Sequence, residues 1–245
     1  MLSLILRTLC AVVLVATISG CAAMGMRAGV SQDDVKKMSN VAVVSILDSK
    51  MNYLMNGTTV FQNQSTTFDA AKWELNKLVE QSLLSNLKAN AQFKHVGLLK
   101  MKFNASDRHN EEDVKNMLKA AKDEGYDTLI LLEPSRYDNA PMYGRGYGIF
   151  HTSKFALKDS THVYMLAAIR AYDTSSGKDL GWQWTFDSIM GKPAFISYDP
   201  VPWKDKPSDL TPAELAQINK ALRSHIEKEV AYAVDAIGFA GHKAP

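Results

Sequence analysis

Cysteine is almost absent from the sequence: Cys10 and Cys21 are the only two, so residues 22–245 contain none. That long stretch can form no disulfide bond and no thiolate metal site. The six histidines show neither the His-x-His nor the His-Glu-x-x-His spacing of metal motifs. They are His95, His109, His151, His162, His225 and His242. We therefore expect no metal and no cofactor.

The chain also lacks an excess of either charge, with 28 Lys and Arg against 26 Asp and Glu, for a formal net charge of +2. Domains that bind nucleic acid are usually strongly basic, so we expect no nucleic-acid partner. A Gly-x-Ser-x-Gly nucleophile motif is missing. The carboxylates Glu111 and Glu112 suit a helix N-terminus, and Glu227 and Glu229 are expected on a solvated helix face. The sequence therefore favours a protein that is not an enzyme.

No hydrophobic run is long enough at the N-terminus to span a bilayer, which takes about 20 apolar residues. The apolar core, residues 9–18, follows a single basic residue and has the length of a signal-peptide core. Ile18-Ser19-Gly20-Cys21 follows and resembles the lipobox of bacterial lipoproteins. An uncleaved anchor helix and an ordinary signal peptide remain the alternatives.

The lipobox resemblance implies that residues 1–20 are a lipoprotein signal peptide and that Cys21 carries the lipid as the first mature residue. Three acyl chains on one cysteine would hold the protein stably at a membrane. Ala22, rather than aspartate, follows the cysteine, which in the enterobacterial sorting pattern implies the outer membrane. Residues 21–38 have no long periodic apolar face, and we expect them to form a flexible tether.

The remaining residues, 39–245, show the pattern of one globular α/β domain, which we expect in the periplasm. Buried strands are predicted at 40–47, 93–99, 127–132, 161–172 and 180–187, and helices at 69–90, 110–125 and from 211 onward. Residues 52–66 are predicted as a long loop or an edge hairpin, and residues 134–160 as a long loop. The order β-α-β-α-β-β-β-α predicts a single mixed sheet covered by about three helices.

Two segments resemble a group of envelope proteins. They are AAKDEGYDTLILLEP, residues 120–134, and AAIRAYDTSSGKDLGWQWTF, residues 167–186. The group comprises the penicillin-binding-protein activator lipoproteins, the curli secretion lipoprotein and the N-terminal domain of the Tol system's propeller protein. The resemblance implies an α/β domain that binds other proteins without catalysis. A pore like that of the secretion lipoprotein is not expected, because residues 52–66 and 139–160 lack pairs of alternating strands of about 10 residues.

Two irregular stretches, residues 134–160 and 190–210, are rich in aromatic residues and in glycine or proline. Tyrosine, tryptophan and arginine are enriched at interface hot spots. We therefore predict a partner-binding surface on these stretches, although packing on their own domain is the alternative. Its candidate residues are Tyr143, Arg145, Tyr147, Phe150, Phe195, Tyr198 and Trp203.

These features together predict an outer-membrane lipoprotein that acts as a protein-binding accessory or regulatory subunit of a cell-envelope machine. The alternative is a self-assembling subunit of an envelope or secretion complex, a homo-oligomer joined through exposed strand edges.

The lipidation prediction can be tested by metabolic labelling with a palmitate analogue in a bacterial host. We expect the chain to incorporate the label and the Cys21→Ala variant to lose it, because no other residue of the lipobox has a thiol. Cys10→Ala is the matched control and should remain labelled. Label retained in Cys21→Ala would contradict the prediction.

Overall fold

The fold is taken from a computed structural model, which describes residues 29–101, 111–153, 159–187, 195–197 and 199–239. The strands are β1 Asn40–Ser45, β2 Lys50–Asn56, β3 Gln64–Asp69, β4 His95–Leu98, β5 Thr128–Pro134, β6 Gly146–Thr152, β7 Ser160–Asp173 and β8 Asp179–Trp184. The helices are α1 Gln32–Val35, α2 Leu75–Lys88, α3 Glu111–Asp123 and α4 Pro212–Val234. Eight strands form one mixed sheet, so the predicted α/β class is confirmed.

The long strand β7 joins two halves of this sheet. Its residues 167–173 pair with β5, and its residues 160–166 pair with β6. Its other edge is used by β8 and by residues 195–197, through bonds such as Met165 N to Phe195 O at 3.0 Å. Because β8 and residues 195–197 occupy that edge, β5 and β6 lie end to end along the remaining edge of β7.

The same end-to-end arrangement recurs one strand further out. β1 pairs in parallel with β5, while β2 pairs in parallel with β6. The chain leaves the sheet between β1 and β2, at residues 46–49, and again between β5 and β6, at residues 135–145. Both connections lie at the boundary between the two halves of the sheet. The first half of the sheet has the order β4-β1-β5-β7-β8, and the second half has β3-β2-β6-β7 followed by residues 195–197.

Helices α2 and α4 cover one face of the sheet, which we call the helix face. On α4, Ile218, Leu222, Ile226 and Val230 recur every four residues and are fully buried. They join a core with alternate residues of the central strands. The predicted start of α4 is confirmed, because the Thr211 hydroxyl accepts from Glu214 N, and the Glu214 carboxylate accepts from Thr211 N.

The opposite face is covered in two different ways. Helix α3 packs Met117 and Ala121 on the first half, against strand residues such as Val44 and Leu129. The second half of this face is covered by loops whose aromatic side chains form a small core of their own. We call this loop-covered part of the opposite face the loop face.

Part of the predicted tether belongs to the folded domain. From residue 29 onward the chain is packed, with Val30, Val35 and Met38 buried in the core of the helix face. Val30 N also donates to Ile237 O at 2.9 Å. The tether prediction for residues 29–38 is therefore wrong, because these widely spaced apolar residues pack although they show no helical period. The signal peptide, Cys21 and residues 22–28 lie outside the described residues.

Strand β6 was missed by the sequence, which predicts a loop over 134–160. The strand was not predicted because it contains two glycines, Gly146 and Gly148, and glycine usually weakens a strand. A Cβ on Gly148 would lie 2.5 Å from Asn52 O and 2.9 Å from a Tyr164 ring carbon, so the close approach of β2 and β7 requires glycine there. Residues 52–66, predicted as a loop or edge hairpin, include most of the hairpin β2–β3 at the sheet edge.

The two segments that carry the family resemblance meet at one end of the first half. The Asp127 carboxylate accepts from Ser39 N at 3.1 Å and from Asn40 N at 2.9 Å, which holds the start of β1 against β5. In the turn after β7, the Thr174 hydroxyl donates to Tyr126 O at 2.6 Å. The Gly-x-Asp and Asp-Thr patterns therefore have a structural role in this chain.

We expect Asp127→Ala to lower the free energy of unfolding by about 1–3 kcal/mol, because two backbone N–H groups lose their acceptor in a half-buried position. Urea denaturation measures the change. Asp123→Ala is the control, since its carboxylate only pairs with Lys119 on the surface of α3, and should change stability by less than about 0.5 kcal/mol. Equal effects of the two substitutions would contradict the assignment.

Candidate binding surface

The loop face carries a continuous layer of aromatic rings. Tyr143 lies in the loop between β5 and β6, and its ring centroid is 4.2 Å from that of Phe150 and 4.8 Å from that of Phe195. Tyr137, in the same loop, contacts Phe195 at 5.9 Å. The layer also contains Tyr164, Trp184 and Phe186. Aromatic residues that are far apart in sequence therefore replace a covering helix.

The structure brings together only some of the predicted partner-binding residues. Tyr143, Phe150 and Phe195 meet in the aromatic layer, but Phe150 is 4% exposed and Phe195 is fully buried. These last two side chains pack the loops onto the sheet, so Phe195 presents no surface to a partner protein and Phe150 presents very little.

Tyr147 and Trp203 lie on the helix face instead. The Tyr147 side chain is buried and donates its hydroxyl hydrogen bond to Asp48 O, and burial raises its pKa. Trp203 stacks between Tyr53, at 4.2 Å, and His151, at 4.7 Å. The predicted set is therefore split between two faces, with Tyr143, Arg145 and Trp203 as its members with accessible surface. Tyr198 lies outside the described residues.

The tip of the β2–β3 hairpin is a surface feature that the sequence did not predict. Val60 is 76% exposed and Phe61 is 95% exposed, in a single helical turn between the two strands. Gly57 N donates to Asn63 Oδ1 at 3.0 Å, which closes the base of the tip. The available signal was two adjacent large apolar residues inside an otherwise polar stretch, NGTTVFQNQST.

A buried pair of titratable groups lies on α4. His225 and Glu229 are each 6% exposed, and His225 Nε2 is 3.8 Å from Glu229 Oε1. His225 Nε2 also lies 3.0 Å from Phe195 O, so the neutral ring can donate there. Burial raises the pKa of Glu229 to about 9 and lowers the pKa of His225 to about 4. Both groups are therefore neutral at pH 7.

The prediction that Glu229 lies on a solvated helix face is wrong. Its position on α4 is one turn after His225 and one residue before the core residue Val230, so it faces the sheet. Lys228 and Arg223 nearby in the sequence suggested a solvated face, but Glu229 packs beside Thr185 and His225 instead.

Within the described ranges, no three His, Cys, Asp or Glu side chains gather closely enough to hold a metal ion. None of the helices in that part of the chain combines the length and apolar character required to cross a bilayer. The candidate site is a set of surfaces: the hairpin tip, the exposed part of the aromatic layer, and a hollow between them that is lined by residues such as Asn63, Ser65 and Tyr143.

Comparison with known proteins gives only distant structural likenesses. No protein-family model matches the sequence, and no curated protein matches it. Among solved structures, the chain is similar to a Xanthomonas campestris protein of the DUF330 family, with 9% identity, a TM-score of 0.39 and coverage of 80% of this chain and 81% of that one.

Two further likenesses are to bacterial proteins. A PelC dodecamer from Paraburkholderia phytofirmans matches with 8% identity, a TM-score of 0.28 and coverage of 78% of this chain and 87% of that one. A putative neuraminyllactose-binding hemagglutinin homolog from Helicobacter pylori matches with 10% identity, a TM-score of 0.31 and coverage of 81% and 83%. These values assign neither a family nor a function to the chain.

The buried carboxyl of Glu229 predicts a pH dependence of stability. Its folded pKa of about 9 lies above its unfolded value, so its contribution is fully present below about pH 4.5 and is lost as the pH rises toward 9. We expect urea stability to fall between pH 7 and pH 9.

Glu229→Gln, which resembles the protonated carboxyl, should remove most of this fall and be more stable than the natural chain at pH 8. Glu227→Gln, on the exposed side of α4, is the control. A natural chain whose stability does not change between pH 7 and pH 9 would contradict a neutral buried Glu229.

Proposed function

We propose that the protein is an outer-membrane-anchored lipoprotein that binds an envelope protein as an accessory or regulatory subunit, through the tip of the β2–β3 hairpin. The exposed pair Val60 and Phe61 is the observation that supports this most strongly. Because these two large apolar side chains are exposed at the end of a hairpin, they contribute little to the stability of the fold. Removing them from water on a partner surface would be favourable.

The position of the tip relative to the chain entry supports the same proposal. Residue 29 lies next to Gly181, which pairs with Ala171, whereas the hairpin end pairs through β6 with Ser160. These two points of β7 are separated by about 36 Å at the usual rise per residue. A lipid on Cys21 would therefore hold the domain from the end of β7 opposite to the hairpin.

Neighbouring surface extends the proposed contact. Met142 is 53% exposed and lies with Asn63 around the same hollow, so three of the exposed large apolar residues occur at this end of the sheet. Tyr143 and Arg145, from the predicted partner-binding set, follow Met142 directly in the chain. The hairpin tip would thus form the centre of the proposed contact, and the loop before β6 would form its margin.

Self-assembly is the second candidate, and the edge strand β3 favours it. Within the described residues only β2 pairs with β3, and Gln64–Thr67 are exposed. An open edge of this kind can pair with a strand of another copy. Light scattering of the full chain in detergent would show an oligomer in that case and a monomer if the chain binds a different protein.

The adaptor proposal predicts a specific crosslink in the native envelope. With a photoreactive residue in place of Phe61, we expect one heterologous adduct, reduced or lost when Cys21→Ala removes the anchor. The matched control is the same photoreactive residue at Leu98, which is 38% exposed on β4 in the other half of the sheet. Only self-adducts would favour the assembly subunit. No adduct at position 61, or the same adduct at both positions, would refute the tip as the contact.

A further inference from the structure

The hollow beside the hairpin lies on the loop face, in the second half of the sheet. Its volume is about 350 Å³, within the range of small-molecule sites. The floor is formed by β2, β3 and β6, and one wall is formed by the loop 141–144. Its lining consists of Asn52, Leu54, Met55, Asn56, Asn63, Gln64, Ser65, Pro141, Met142, Tyr143, Gly144 and Phe150. We call it the amide pocket.

The lining of the amide pocket combines two kinds of group. Four of the residues are Asn or Gln, and none of the described residues that line it is charged. Each amide offers one acceptor and two donors, so it can either accept a hydrogen bond from a hydroxyl group or donate one to it. Leu54, Met142, Tyr143 and Phe150 supply an apolar side. A ligand that fits must therefore be neutral, rich in hydroxyl or amide groups, and apolar on one face.

Part of this lining is held rigidly. Asn52 Nδ2 donates to Arg145 O at 2.8 Å and to Tyr147 O at 3.3 Å, which ties β2 to the start of β6. A Cβ on Gly144 would lie 2.6 Å from the Asn52 side chain, so glycine lets the wall approach this amide. The Tyr143 ring is stacked on Phe150. A pre-organised wall and floor reduce the entropy that a ligand loses on binding.

Other side chains of the pocket are available to a ligand. Asn56 and Ser65 make no side-chain hydrogen bond within the described part of the chain, and Ser65 is exposed. The register places Ser65 opposite Leu54, and Asn56 is two residues further along β2, so both side chains point to the same face as Phe150. Their polar groups lie on one side of the hollow and the aromatic pair lies on the other.

We propose that the amide pocket binds a neutral saccharide. A pyranose ring presents hydroxyl groups at its edge and C–H groups on its face, which matches the amides and hydroxyl on one side and the apolar wall on the other. An acyl chain would leave the amides without partners, and an anionic ligand would find no cation in the lining. Met142 and Tyr143 border both this pocket and the proposed hairpin contact, but Asn56 and Ser65 belong to the pocket alone, and its ligand is of a different class.

Calorimetric titration of the full chain tests the inference. Chitotetraose, cellotetraose and maltotetraose are the three neutral probes, and they distinguish an acetamido sugar from glucans of β and α linkage. The detergent should be a polyoxyethylene type, because a maltoside would itself be a saccharide. We expect saturable binding of at least one probe, and no comparable binding of a sulfated tetrasaccharide.

The variants assign that binding to the pocket. Asn56→Leu and Ser65→Ala should each weaken it about tenfold, because a hydroxyl of the ligand then lacks its hydrogen-bond partner. Thr66→Ala is the matched control, since Thr66 follows Ser65 on β3 and points to the opposite face. Urea midpoints would show that the variants are folded. Absence of saturable binding for all three probes, or equal weakening by Thr66→Ala, would overturn the proposal.

Discussion

The structure depends on one continuous strand, β7. Its first seven residues bind β6 and its last seven bind β5, so backbone hydrogen bonds along a single edge hold the two halves of the sheet in line. The other edge binds β8 and the residues around Phe195. Because residues 163–169 at the centre of β7 are also buried, a disruption there would separate the two halves of the sheet.

The two halves of the sheet are built differently. In the first half, helices cover both faces, and short polar contacts such as those of Asp127 hold the start of β1. In the second half, the loop face has aromatic side chains instead of a helix, and an open hollow remains between them and the hairpin. Loops tolerate sequence change better than helices and often carry binding residues. The second half is therefore the part of the fold in which a binding function is best accommodated.

The sequence predicted the elements whose pattern is local. The α4 stripe has a helical period and a capping box, and the strand over residues 127–132 is a continuous apolar run, so the strand and the start of α4 were found close to their observed bounds. Strand β6 was missed because its glycines are required by the approach of neighbouring strands, which is a tertiary constraint. Glu229 was misplaced for a related reason: polarity alone does not show that a carboxyl is buried and protonated.

The candidate site was predicted only in part. Aromatic composition identified Tyr143, Phe150 and Phe195, and the structure does place them together. Composition could not distinguish packing from exposure, because the same ring types fill cores and interfaces. It could not assign Tyr147 to the other face of the sheet either, since that depends on the register of a strand the sequence did not predict. The amide pocket combines residues from three strands and a loop, and no local pattern indicates it.

The contact between the two ends of the described chain has a mechanical consequence. Val30 N is bonded to Ile237 O, and residue 29 fits so closely there that a Cβ on it would lie 2.8 Å from the same oxygen. A force applied to the chain from its N-terminal side would therefore act first on this contact and on the turn after α4. Because residue 29 also lies beside Gly181 of β8, this contact belongs to the first half of the sheet, at the other end of β7 from the hairpin.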